Sequence, residues 1–315
     1  MKIKSLGSMY KSLRTSIRLI LYFFSLANAF GLIPAFHMVW MPFFLSIGHK
    51  HKYILSYFEK KYSDIILKYK DKGWNNEMIS KDDLIWVCWF QGEEQMPKTI
   101  RFCFESIKKY SGGRKVMLIT SQNYVHYMSL PNHVKEKVDK GIISLTHFSD
   151  IIRCNLLADY GGIYIDAGLL LTTDLEIPKL QFYSIKHHKT ENKDSYVSEY
   201  RWVAGFMAGS RGNLLHSFMR DFFNAYHGRE DVLIDYFLVD YVIALAYNNF
   251  PEVKKMIDAV PYNNEECYYI QNHLFEPLNK EELNRVLGNT SIFRIGYKGI
   301  PKAIKENSLY YYLFK

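Results

Sequence analysis

From Asp83 onward, short apolar runs of strand length alternate with longer stretches of helical periodicity. Residues 84–89 (LIWVCW) read as a strand, and Pro97 opens a helix that runs to about Tyr110 and ends at Gly112-Gly113. Residues 115–120 (KVMLIT) read as the next strand, 132–137 as a short helix and 142–145 as a strand. A helix over 149–159 and a strand over 163–165 follow. Strands separated by helices must be joined by crossovers rather than hairpins. The pattern therefore predicts an α/β fold with a mostly parallel sheet and covering helices. On such a sheet ligands sit beyond the carboxyl ends of the strands. The C-terminal third is less regular: 214–226 and 232–248 read as helices, and the Tyr- and Lys-rich end from Ser291 is not assignable.

The N-terminal part follows a different rule. Between Arg18 and Lys50 there is no Lys, Arg, Asp or Glu. The run is long enough to span a bilayer, but Pro34 and Pro42 interrupt any single long helix. It is too long, and lacks the small-residue end, for a cleaved signal peptide. Lys2, Lys4, Lys11, Arg14 and Arg18 precede it, and Lys50, Lys52, Lys60 and Lys61 follow. Basic residues stay on the cytoplasmic side, so similar flanks predict a re-entrant or interfacial hairpin with both ends in the cytoplasm. The alternative is an apolar helix pair buried in the protein itself. Residues 53–72 read as one amphipathic helix, and Gly73, Asn75 and Asn76 as a linker. The expected division is a membrane-contacting helical segment over 1–72 and an α/β domain over 83–315.

A net charge of +8 calls for a polyanionic neighbour. With no zinc-finger spacing, ribonucleoprotein motif or long Lys/Arg run, nucleic acid is set aside in favour of an anionic membrane surface at the inner membrane. The four cysteines form no Cys-x-x-Cys pair and read as buried reduced thiols of a cytosolic protein.

The informative stretch is 147–174, HFSDIIRCNLLADYGGIYIDAGLLLTTD. Ser149 has the chemistry of a helix N-cap. Asp150 and Arg153 are three apart and share a helix face. Gly161-Gly162 stops the helix, and a short apolar strand containing Tyr164 delivers Asp166 to its carboxyl end. Taken singly, the Asp150–Arg153 pair is a surface ion pair worth under about 1 kcal/mol. Asp166 alone is a turn residue. Their combination in one short segment is what points to a reaction centre.

Ser-Asp-x-x-Arg, Leu-Leu, then Tyr-Gly-Gly-Ile-Tyr-x-Asp resembles the signature of sugar-nucleotide transferases with an Asp-x-Asp motif. Among these are the initiating mannosyltransferases and, more remotely, the large glucosylating toxins. The bacterial capsular polysaccharide synthesis family is the nearest resemblance. It extends to IWVCWFQG from Ile85, to Met96-Pro97 and, more weakly, to Asp235-Tyr236-Phe237 and Tyr297-Lys298. The resemblance implies a GT-A-like domain that moves a sugar, with retention, from a nucleoside diphosphate donor to a growing, lipid-linked glycan. It implies that Asp150 and Arg153 hold donor-sugar hydroxyls and that Trp89 stacks on the base. Gly161, Gly162 and Tyr164 would contribute to substrate binding. Trp86 and Trp89 point to opposite faces of a strand, so only one can meet the donor. Asp166 would bind Mn²⁺ or Mg²⁺, which would neutralise the leaving diphosphate. The family motif has a second carboxylate where this chain has Gly168. Asp235, Asp240 or His273 would have to compensate, or the chain would be a non-catalytic glycan-binding or scaffolding relative.

Overall fold

The computed structural model describes residues 6–70, 74, 77–188, 191–301 and 303–314, the first ten of them by backbone alone. The linker read at Gly73, Asn75 and Asn76, and the flanking Lys2 and Lys4, lie outside them. The chain opens with α1 (Leu6–Phe30), α2 (Leu32–Val39), α3 (Met41–Phe44), α4 (Ile47–Lys61) and α5 (Ser63–Lys70). Gly31, with φ of 94°, makes the turn between α1 and α2. Pro34 and Pro42 lie in the first turns of α2 and α3. There the missing N–H costs nothing, so each proline starts a helix rather than kinking one. Among the described residues no helix is long and apolar enough to cross a membrane.

The single helix expected over 53–72 is two helices. The chain breaks at Tyr62, whose carbonyl accepts from both Ile65 N and Ile66 N. The break lets Phe58 and Tyr62 stack against Phe222, with ring centroids 5.2 and 4.7 Å away. Burying these rings, of order 2–3 kcal/mol each, outweighs continuing one helix. Leu26, Ala35, Met38 and Phe58 belong to the same buried cluster as the sheet residues, so the N-terminal helices share its core.

The sheet region contains β1 (Ile85–Cys88), α6 (Lys98–Lys109), β2 (Val116–Ile119), α7 (Asn132–Asp139), α8 (Leu145–Asp159), β3 (Gly162–Ile165), β4 (Leu169–Leu171), β5 (Phe182–Ser184) and β6 (Phe206–Gly209). Next come α9 (Leu214–Arg229), α10 (Leu238–Asn249), α11 (Pro251–Asp258), α12 (Tyr269–His273), α13 (Lys280–Asn289), β7 (Ile292–Arg294) and α14 (Leu309–Phe314). The main sheet has the order β2-β1-β3-β6-β5. β1 is parallel to both β2 and β3, and β6 is antiparallel to its neighbours β3 and β5. Four strands thus run one way and β6 alone runs back, so the sheet is mostly parallel. β4 and β7 form a separate antiparallel pair beside it.

Two sequence expectations need correction. Residues 142–145 are not a strand, and α8 starts at Leu145 rather than Ser149. Ser144 takes the cap, accepting from His147 N at 3.2 Å. Ser149, one turn inside, donates instead to Thr146 O at 2.6 Å. Two serines compete, and the one at the turn after Gly141 wins because its extended backbone is free to cap. The helix expected from 232 starts only at Leu238, because Tyr226 Oη holds residues 232–234 as a loop, donating to Val232 O and accepting from Ile234 N.

Candidate active site

The site forms where β1 and β3 end. Gly161 and Gly162 set the approach, with φ of 70° and 99°. A Cβ on Gly161 would stand 2.4 Å from Arg211 N, and one on Gly162 would stand 2.5 Å from Leu84 O. These glycines serve close backbone packing, and neither lines the cavity described below. The carbonyl of Gly161 accepts the buried Trp86 indole N–H at 2.8 Å, which locks the α8–β3 turn onto β1.

β3 ends at Asp166, whose N–H donates to Gly205 O at 2.8 Å. Each oxygen of its carboxylate meets an arginine. Arg153 Nη2 donates to Oδ1 at 2.9 Å, and Arg294 Nη1, from the end of β7, donates to Oδ2 at 2.9 Å. A Cβ on Gly205 would stand 2.7 Å from Oδ2, so the carboxylate fits only because that residue is glycine. Arg153 is 3% exposed. It also donates to Ala204 O at 2.6 Å, pairs with Asp150 at 3.3 Å and lies over the Tyr164 ring at 4.5 Å. Burial opposes its charge, but Asp166, Tyr164 and Asp150 together hold its pKa above the ordinary range.

A cavity of about 540 Å³ opens in front of Asp166, within the range of small-ligand sites. Of the site residues assigned from sequence, Trp89, Tyr164 and Asp166 line it, whereas Asp150, Arg153, Gly161 and Gly162 do not. Trp89 packs edge-on to Tyr297 at 5.5 Å, and its buried indole N–H has no hydrogen-bond partner among the described residues. Trp86 is buried and does not line this cavity. Tyr236, Tyr268, Gln271, Arg294 and Lys298 complete much of the wall. Burial pushes both the Cys88 thiol and the Tyr268 hydroxyl up to about 12, so both stay protonated at neutral pH.

Sequence reasoning missed Arg294. Its one signal is a lone basic residue inside the apolar strand Ile292-Phe293-Arg294-Ile295. Behind the site, Asp150 faces His147 Nδ1 at 3.5 Å, and His147 Nε2 meets His227 Nε2 at 2.9 Å. Burial first, then His147, pushes His227 down to about 2, so this imidazole is neutral.

The compensating metal ligands considered from sequence lie elsewhere. Asp235 pairs with Lys50 at 2.5 Å, Asp240 accepts the Trp202 indole N–H at 2.9 Å, and His273 lines a different cavity. Asp166 is the single carboxylate among the residues lining the large cavity. Among the described residues no group of three or more His, Cys, Asp or Glu could hold a metal ion. Both oxygens of Asp166 already accept from guanidinium groups at 2.9 Å. Two positive charges at that range oppose a dication. This donor set does not fit a resident Mn²⁺ or Mg²⁺.

Residues 46–313 match the family described as capsular polysaccharide synthesis protein. The chain belongs to that family. It is also 27% identical over 155 residues to the O-glycosyltransferase braB of Annulohypoxylon truncatum, a match covering 43% of this chain and 35% of that protein. The chain thus spans about a third of the length of the curated relative it matches. Among solved structures it is similar to the PaToxG glycosyltransferase, at 15% identity and a TM-score of 0.39 over 75% of this chain and 91% of that one. It is similar also to the WbbM bifunctional glycosyltransferase, at 10% identity and a TM-score of 0.38 over 78% of this chain and 51% of that one. Membership extends the N-terminal limit of the family region to α4, well before the first strand.

Proposed function

We propose that this family member is a glycosyltransferase, and that its large cavity takes a nucleoside diphosphate sugar. The observation that carries the reading is Asp166, set at a strand's carboxyl end on the cavity wall and fixed between Arg153 and Arg294. Trp89 and Tyr297 supply aromatic surface for the base, and Tyr164 and Asp166 line the same cavity. In this reading Arg153 is a positioning residue. It orients Asp166 through one arm of its guanidinium and ties it to Ala204 through the other. Asp150 pairs with Arg153 in turn.

The proposed reaction passes the sugar to a hydroxyl of a growing, lipid-linked glycan with retention. Retention by a covalent route needs a nucleophilic carboxylate, and retaining hydrolases place two carboxylates about 5 Å apart. The cavity wall carries Asp166 alone, with both oxygens engaged. Front-side displacement is therefore favoured. The sugar–phosphate bond breaks, the acceptor oxygen bonds the anomeric carbon, and the acceptor proton passes to the leaving diphosphate.

Attachment to the cytoplasmic face of an anionic membrane is part of the proposal. Leu32, Ile33, Phe36, Phe43, Phe44 and Leu45 expose an apolar face on and just after α2 and α3. A patch of this kind is suited to lying in the interface rather than spanning it. The deciding test is a donor-hydrolysis and transfer screen over common UDP- and GDP-sugars, with and without Mn²⁺. Turnover of one donor is expected. A second reading, a non-catalytic glycan-binding relative, is favoured by Gly168, and nucleotide binding without any turnover across the screen would select it.

A further inference from the structure

Resting on the nucleotide-sugar reading, we infer that Arg294, assisted by Lys298, is the counter-charge for the donor diphosphate, in the place a divalent cation would take. Three observations converge on this assignment. First, the space for a second acidic ligand is tight. Strand β7 pairs with β4 so that Ile295 N donates to Gly168 O at 2.8 Å. A Cβ on Gly168 would stand 3.0 Å from Ile295 O, tighter than ordinary contact. A carboxylate two residues beyond Asp166 would have to push the Ile295 carbonyl, next to Arg294, back by a few tenths of an ångström.

Second, Arg294 occupies the region that such a carboxylate would reach. Its guanidinium carbon stands 3.9 Å from the Cβ position of Gly168. The fold has replaced a negative group by a positive one at this corner. A dication needs the former, whereas a diphosphate is held directly by the latter.

Third, Arg294 is held yet not used up. Asp166 is the sole hydrogen-bond partner of its side chain among the described residues, through one N–H of five. The side chain is 40% exposed, on the wall of a cavity that Lys298 also lines. Burial opposes its charge, but Asp166 outweighs that and raises its pKa, so it remains a cation at any working pH. Arg153, by contrast, is spent on Ala204, Asp166 and Asp150. One carboxylate thus orients two guanidinium groups, an inner one that is structural and an outer one that faces ligand. A planar fork of donors matches phosphate oxygens geometrically. When the sugar–phosphate bond breaks, the electron pair stays on the diphosphate, and Arg294 and Lys298 stabilise the charge that develops there.

The test is calorimetric titration of the full chain with UDP, UMP, GDP and GMP, in EDTA and in Mn²⁺, for the wild type, Arg294→Met and Arg294→Lys. The wild type is expected to bind its preferred diphosphate in EDTA within about threefold of its affinity in Mn²⁺. Arg294→Met should weaken that diphosphate by at least about tenfold and the monophosphate much less, and Arg294→Lys should restore part of the loss. If Arg294→Met fails to fold, the wild-type comparison of EDTA with Mn²⁺ still decides. A larger Mn²⁺ requirement, or equal losses for mono- and diphosphate, overturns the inference while the transferase reading stands. Absence of nucleotide binding under both conditions overturns both.

Discussion

Replacing Arg153 by Met should unfold the site from within rather than blunt its grip on a sugar. The side chain is 3% exposed and ends on three partners, Ala204 O at 2.6 Å, Asp166 at 2.9 Å and Asp150 at 3.3 Å. Removing one partner of a buried ion pair costs about 3–5 kcal/mol, because the remaining charge is left without compensation. One feature reduces the loss here: Arg294 still holds Asp166 Oδ2. The lower end, about 3 kcal/mol, is therefore expected, equivalent to a fall in Tm of about 4–5 °C for a chain of this size. Arg153→Lys keeps the charge but cannot span Ala204 and Asp166 together, and should lose about half as much. Thermal unfolding of the purified variants, alongside titration with nucleoside diphosphate and intact sugar nucleotide, separates the roles. A Tm within about 2 °C of wild type, together with lost affinity for the sugar nucleotide alone, would show that Arg153 meets the sugar. The positioning role argued above would then be wrong.

Four further outcomes are expected. Asp166→Asn should keep the fold and lower transfer by at least about a hundredfold, and near-normal turnover would remove Asp166 from the reaction. Trp89→Ala should weaken nucleoside diphosphate by about 1–3 kcal/mol in calorimetry, as for bases stacked on aromatic rings, and unchanged binding would place the base elsewhere. Burial pushes the Asp240 carboxyl up to about 7, partly offset by the Trp202 indole that donates to it. An acid with a raised folded pKa takes up a proton on folding, so its contribution to stability falls as pH rises from about 4 to about 7. Asp240→Asn keeps an acceptor for Trp202, so urea titrations should show it gaining about 1 kcal/mol on wild type near pH 8 and little near pH 5. Equal gains at both would refute ionisation as the cause. Phe43→Ser with Phe44→Ser should cut sedimentation with anionic vesicles severalfold while nucleotide binding persists, and undiminished sedimentation would rule out this face as the contact.

Much of the local structure is legible in the chain itself. Strand and helix periods differ, so β1, β2 and β3 and the helices between them emerge from the spacing of apolar residues. Of the two indoles weighed for the base, Trp89 lines the cavity and Trp86 is buried. What fails locally fails by competition. Ser144 and Ser149 are both competent caps, and only the path of the chain after Gly141 decides between them. Tyr62 breaks a continuous amphipathic pattern because Phe222, far along the sequence, offers its ring a better place.

The sequence by itself determined the candidate-site segment: a helix bearing Asp150 and Arg153, a two-glycine stop, and a strand followed directly by Asp166. These residues are near neighbours in the chain, and helix and strand geometry alone bring them together. Tertiary structure decided which of them lines the cavity. Arg153 lies 13 residues before Asp166 and Arg294 lies 128 after it, yet both donate to the same carboxylate at 2.9 Å. The second contact exists because β7 pairs with β4, and a pairing between distant segments depends on how the whole core packs. For the same reason Gly168, which in the sequence is only a missing carboxylate, becomes in the fold the place over which an arginine stands.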